Sequence, residues 1–349
     1  MSWFGAEVDG PLIVTRTVHF AASATLAGAL IFRGFVAEPA LRAAPPANAL
    51  VHKQVRAVAW IGLAAAVFSG LILVLLLTMS LSAESLGEAV MSGALRDVLN
   101  LTQFGLVSQV RLALAIVLAI CLAFERSAVW RWLGLGAAVG LIASIARTGH
   151  AASTPYKLGY LHLTSDALHL TAATAWIGGL VPLALLLNVS RRYRILEWAS
   201  LELDVVRRFS LLGVVSVATL ILSGVINAWI LVGSFRGLVF TVYGWILMVK
   251  LVVFAIMVVL ATVNRFRLTP QLALPPAGEA RCYALRRLTR STVAEIALGL
   301  LVFAIVGVLA RPGPRNVCMS APHSASVPNP PALLTAAARA GPTAPPMGA

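Results

Sequence analysis

The segment Leu161-His162-Leu163-Thr164-Ser165-Asp166-Ala167-Leu168-His169 sets two imidazoles and a carboxylate at i, i+4 and i+7. On an α-helix these three share one face. Neutral imidazole and ionised carboxylate suit Cu(II), Zn(II) or Ni(II), and copper stands highest in the affinity order. His162 with Asp166 could hold one ion, and so could Asp166 with His169. His162 and His169 lie about 10 Å apart along a helix axis, too far for one ion to bridge directly. The spacing predicts either two metal stations or a histidine whose tautomer Asp166 fixes. His150, in the stretch Thr148-Gly149-His150-Ala151-Ala152, and His19, in the first apolar run, complete the candidate ligand set. One such histidine would read as an interfacial cap; four at one membrane face, with an aspartate in register, read as a metal site. Met79 and Met91 are too few for a thioether array that selects Cu(I).

Further ionisable residues sit inside apolar runs, where each is expensive and points to function. Arg16, Arg111, Asn227 and Lys250 all fall towards the same end of their segments as the histidines, and Glu295 stands apart near the start of the last segment. The expectation is a polar cavity open at one face and closed at the other; Glu295 reads either as a functional group or as a partner of Arg287 or Arg290 at the inner interface.

These groups must be positioned by helices that cross a bilayer. Of 349 residues, 59% are hydrophobic and 11% are charged, which excludes a soluble enzyme, a disordered chain and a disulfide scaffold. Mean hydropathy is +0.89. A net charge of +14 suggests nucleic acid at first, but the basic residues cluster between apolar runs, so membrane topology explains them and no nucleic-acid partner is expected. Eight segments are long enough to span: 11–33, 56–78, 104–124, 129–147, 164–188, 209–232, 243–264 and 291–310. With the N-terminus outside, the inner loops carry 17 Lys and Arg and the outer loops and tail carry 7. Both termini are therefore expected on the non-cytoplasmic side. Met1 to Gly10 contains Glu7 and Asp9 in place of a basic region, so no cleavable signal peptide is expected. Cys121, Cys282 and Cys318 form no CxxC pair.

Spacings recur four helices apart. His19 precedes Gly28 and Leu30 as His169 precedes Gly178 and Leu180; Ser69-Gly70 parallels Ser223-Gly224; Val110-Arg111-Leu112 parallels Val249-Lys250-Leu251. The fold class expected is an all-α membrane bundle of eight helices with a parallel 4+4 internal repeat. In that arrangement His19 and His169 face each other across the repeat axis and share a ligand.

From TGHAA at 148–152 and LHLTSDALHLTAATAWIGGL at 161–180, through YGWILMVKLVVFAIMVVLATVNRFR and LRRLTRSTVAEIALGLLVFAIVGVLA, the chain resembles the CopD family of bacterial copper-resistance membrane proteins. The resemblance is specific over roughly residues 147–310 and looser before. It divides the chain into a first four-helix half (1–147), a CopD-like second half (148–310) and a Pro/Ala-rich tail (311–349) expected to be disordered. It implies an inner-membrane protein that moves or delivers copper, supplied by a periplasmic copper carrier of the CopC type. His150, His162, Asp166 and His169 become candidate copper contacts on that basis. There is no GxxxxGK[ST] or DKTG sequence, so no enzymatic step is expected and transport would be passive or ion-coupled. The competing reading is an electron-transfer protein that binds haem b or quinone through paired histidines, with Arg16, Arg111 and Lys250 on propionates. Cys318, Met319 and His323 in the tail form a weak soft-metal candidate.

Overall fold

Each of the eight apolar segments is a long helix in a computed structural model of the chain, which describes residues 9–42, 48–147, 156–193, 198–232, 242–275 and 278–309. The spans are α1 (Gly10–Leu41), α2 (Ala49–Ser82), α3 (Gln103–Ala123), α4 (Ala128–Ala146), α5 (Leu158–Arg191), α6 (Ala199–Ile230), α7 (Gly244–Gln271) and α8 (Glu279–Val308). The described residues contain no strand. His150 and the Cys318/Met319/His323 group lie outside the described residues, as does the tail beyond Leu309.

Six spans differ in length from the sequence expectation, because apolar runs mark the hydrocarbon core while helices continue through the charged flanks. α8 begins at Glu279 and α1 continues to Leu41. The flanks are held by buried and half-buried ion pairs at the end opposite the N-terminus. Arg33 meets Glu125 at 2.5 Å and Glu38 at 3.7 Å, and Arg131 meets Glu38 at 3.1 Å. Arg281 of α8 meets Glu202 of α6 at 2.7 Å and donates to the carbonyls of Leu272 and Ala199. That end therefore carries paired polar groups. Salt-bridged Arg and Glu can be buried where an unpaired charge could not.

At the other end, α2 connects to α3 through two short helices, Leu86–Met91 and Ala94–Leu101. The first opens on a capping box: the Ser85 hydroxyl accepts from the Glu88 amide, and Glu88 accepts from the Ser85 amide at 2.9 Å. The Ser85 hydroxyl also donates to Glu88, and these bonds hold that carboxyl below the usual carboxylate range.

α1 and α5 are the central pair. Two thirds of the most apolar stretch of each is buried, against a third or less in the other six. They cross at Gly28 and Gly178, where a Cβ on either glycine would overlap the partner's backbone. α2, α3 and α4 pack on α1 through Leu26, Leu30, Leu118 and Leu141. α6, α7 and α8 pack around Trp176, Leu180, Phe209 and Met257. The outward faces carry Ile61, Phe68, Leu222 and Trp229, all more than half exposed, as a lipid-facing surface requires.

Gly178→Ala is expected to lower stability by about 1–3 kcal/mol, since the added methyl must push α1 and α5 apart. Thermal unfolding in detergent would report it. Gly213→Ala serves as the control, because a Cβ there meets nothing within 4 Å. Equal melting points for the two variants would remove the close crossing from the account.

Three π-helical turns interrupt the spans: Arg33–Ala37 in α1, Thr174–Gly178 in α5 and Asn264–Leu268 in α7. Each lies just before a proline, Pro39, Pro182 or Pro270. A proline inside a helix removes one N–H and collides with the carbonyl four residues back, and a widened turn accommodates both effects.

Candidate functional site

Two histidines are held in the same way on the two central helices. His19 is the tenth residue of α1 and His169 the twelfth of α5, so both stand slightly to the N-terminal side of mid-span. For His169 this is further from the helix start than the sequence suggested, because α5 starts earlier than its apolar run. His19 Nδ1 lies 3.0 Å from the Ala66 carbonyl and 3.2 Å from Ser69 Oγ on α2. His169 Nδ1 lies 3.0 Å from Ser223 Oγ on α6, with the Leu220 carbonyl nearby. Ser69 and Ser223 each donate at 2.6 Å to a carbonyl of their own helix, Ala65 and Thr219 respectively.

These bonds fix the tautomer. A carbonyl oxygen only accepts, and a serine whose proton is already committed also accepts. Nδ1 must therefore carry the hydrogen in both rings, which leaves the lone pair on Nε2. That is the state a metal-binding imidazole adopts when its other nitrogen is tied to an outer partner. Gly70 and Gly224 follow the two serines, and a Cβ at either would lie 3.3 Å and 3.6 Å from the Cε1 of His19 and His169. The glycines make room for the rings to lie against α2 and α6.

A basic residue accompanies each ring. Arg111 of α3 acts electrostatically on His19, and its guanidinium is anchored on α4 through Nε to Ser144 Oγ at 3.0 Å. Lys250 of α7 acts on His169. Asp166, one turn before His169, accepts from Asn227 Nδ2 at 3.4 Å and acts on Lys250. The second half thus joins His169, Ser223, Asp166, Asn227 and Lys250, while the first joins His19, Ser69, Arg111 and Ser144. His162 is buried, with 1% exposure. Among the described residues, no three His, Cys, Asp or Glu side chains are grouped so as to hold a metal ion. A ligand held here would be met by one imidazole Nε2 at a time or by pairs.

Ser69, Ser223 and Ser144 did not stand out as site residues in the sequence. The signal for Ser69 and Ser223 was the recurrence of Ser-Gly four helices apart, which reads as a packing repeat until the rings are seen against it; Ser144, followed by Ile145, carried none. Glu295 also lies elsewhere than expected. It is near the middle of α8, not at its start, and it accepts from Asn264 Nδ2 at 2.6 Å beside the Trp176 indole rather than pairing with Arg287 or Arg290.

Comparison with known proteins places this geometry in context. Residues 7–160 match the family model described as copper resistance protein D-like, N-terminal domain, and residues 203–309 match copper resistance protein D. The chain is 31% identical over 217 residues to copper resistance protein D of Pseudomonas syringae pv. tomato, covering 61% of this chain and 70% of that protein. It is 30% identical over 209 residues to inner membrane protein YebZ of Escherichia coli, covering 60% and 68%. It is 31% identical over 231 residues to copper transport protein CutJ of Bacillus subtilis, covering 64% of this chain and 39% of that longer protein. No solved structure matches the chain.

Proposed function

The chain belongs to the copper resistance protein D family, and from that premise we propose that it moves or delivers copper across the bacterial inner membrane through histidine stations in the N-terminal-side half of the bundle. The observation that carries the reading is the shared tautomer of His19 and His169, each with Nδ1 tied to a neighbouring helix and Nε2 left as a lone pair. Copper is the cargo here. His162 and Asp166 receive it at the mouth of α5, with His150 as a further contact. His169 and His19 then hold it in turn, each by Nε2. Because the two rings are tied to different helices, α2 and α6, we read them as two equivalent stations and not as one shared site. Asp166 offsets the positive charge of Lys250 beside the second station.

The matching His–Ser–Gly–cation arrangement in both halves supports a parallel 4+4 duplication, with each half supplying one station. The basic-residue bias supports both termini outside, so that the stations open to the periplasm and take copper from a small carrier of the CopC type. The ion pairs of Arg33 and Arg281 close the cytoplasmic end. Topology is tested by cysteines placed at Ser92 and Ser200, both exposed. Membrane-impermeant reagent should label position 92 from outside and position 200 only after the cells are opened. The reverse pattern would invert the proposal.

Ser223→Ala and Ser69→Ala are expected to weaken copper binding about 10-fold by loosening ring orientation. Titration of the purified variants measures this. Unchanged affinity in both would show that the serines serve packing alone.

A second reading, haem b or quinone binding, is favoured by one observation: a cation acts on each ring, and cations suit propionates better than they suit copper. Purified protein separates the two. Colourless protein with stoichiometric copper by elemental analysis supports copper handling, and a Soret band supports haem.

A further inference from the structure

Glu295 is a carboxyl group in the middle of a membrane helix, with 2% exposure and no part in the histidine stations. Its partners come from two other helices. Asn264 of α7 donates to it through Nδ2 at 2.6 Å, and the indole of Trp176 on α5 stands close enough to act on it. Both residues sit in π-helical turns, Thr174–Gly178 and Asn264–Leu268. A π turn inserts an extra residue and rotates the side chains that follow out of the α-helical register. The two widened turns converge on one carboxyl.

Among the described residues, Glu295 takes part in no ion pair with α1, α5 or α7. Arg265, next to Asn264, is committed to Ser210 Oγ of α6 at 2.8 Å and lies over the Phe266 ring. A carboxylate with neutral donors and no cation is costly in such a place, whereas a carboxylic acid is not. The surroundings can also serve both forms. The indole N–H and the amide N–H suit either a carboxylate oxygen or the carbonyl of the acid. Asn264 Oδ1 is shut away from solvent and has no hydrogen-bond partner among the described residues. A half-turn of the amide would offer that oxygen to the O–H of the protonated acid. The site has donors for one state and a spare acceptor for the other.

We propose that Glu295, with Trp176 and Asn264, is a proton-binding site at mid-membrane that takes up and releases one proton in each cycle of the protein. The step is a simple transfer: a proton from water bonds to a carboxylate oxygen of Glu295, giving the neutral acid, and it returns to water on release. Trp176 lies seven residues beyond His169 on α5, about 10 Å along the axis. A change of charge at Glu295 can therefore act on the helix that carries the second histidine station. What the proton drives rests on the transport reading above; that the site binds a proton does not.

The test uses the full-length protein in lipid vesicles with dicyclohexylcarbodiimide, an apolar reagent that modifies protonated carboxyls inside membranes. Peptide mass mapping should find the adduct on Glu295. Its rate should fall about tenfold per pH unit above the midpoint of titration. Added sodium or copper should leave it unchanged, and Glu295→Gln should lack it while folding normally. Absence of the adduct from Glu295, a rate independent of pH, or protection by sodium or copper would overturn the proposal, the last by making the site a metal-cation site. In vesicles that transport copper, Glu295→Gln should lose the response of flux to an imposed pH gradient, and Glu295→Asp should keep it. If the unmodified protein moves no copper, the transport reading fails while the labelling result still decides the proton site.

Discussion

Glu202→Ala is expected to destabilise the protein by about 3–5 kcal/mol, the cost of leaving a buried charge without its partner. Arg281 and Glu202 meet at 2.7 Å with side-chain exposures of 8% and 5%. Two carbonyls, Leu272 and Ala199, would still accept from the guanidinium, but neither supplies a negative charge. Thermal unfolding in detergent measures the loss. Asp204→Ala provides the contrast, since its ion pair with Arg208 is some 40% exposed and an i,i+4 pair of that kind contributes about 0.3–0.5 kcal/mol. Replacing both Arg281 and Glu202 by apolar residues of similar volume should recover much of the stability. A Glu202→Ala protein that melts with Asp204→Ala would mean that the pair does not hold α6 to α8.

His169→Ala should lower copper affinity by about 100-fold or more, beyond what loss of an orienting partner costs. His19→Ala should be as damaging. Two stations in series on one path predict that copper accumulation in the double variant is no worse than in either single one, whereas titration should show each single variant keeping the other station. His52, on α2 towards the opposite end, is the control, and its alanine variant should behave as the parent. Copper accumulation in expressing cells, alongside titration of purified protein, gives the comparison. An intact response in His19→Ala would confine copper handling to the second half of the chain.

The prolines carried a legible signal that spacing analysis alone passes over. Pro39, Pro182 and Pro270 each interrupt an otherwise continuous apolar or flanking run. Their physical consequence, a widened turn just before each, places Trp176 and Asn264 where they reach Glu295. Without the turns, a lone glutamate near a basic cluster reads equally as an interfacial ion pair with Arg287 or Arg290, and the structure gives it Asn264 instead. Arg33 and Arg131 likewise read as loop charges that set topology, yet Arg33 is buried against Glu125 and Glu38.

The sequence by itself determined that the chain crosses a membrane eight times, that it is all helical, and that it resembles a copper-resistance family. It could do so because a bilayer imposes length and apolarity on each span independently of every other span, so these properties are written locally. The tertiary structure decided which polar atoms meet. It alone set the imidazoles against Ser69 and Ser223, fixed their tautomers, closed one end with Arg33 and Arg281, and gave Glu295 the Asn264 amide in place of a cation. Those outcomes depend on the rotation and crossing of helices far apart in sequence, set by contacts such as Gly28 on Gly178. Rotation about a helix axis leaves apolar length unchanged while it exchanges every polar partner, so the pairing emerges when the helices pack.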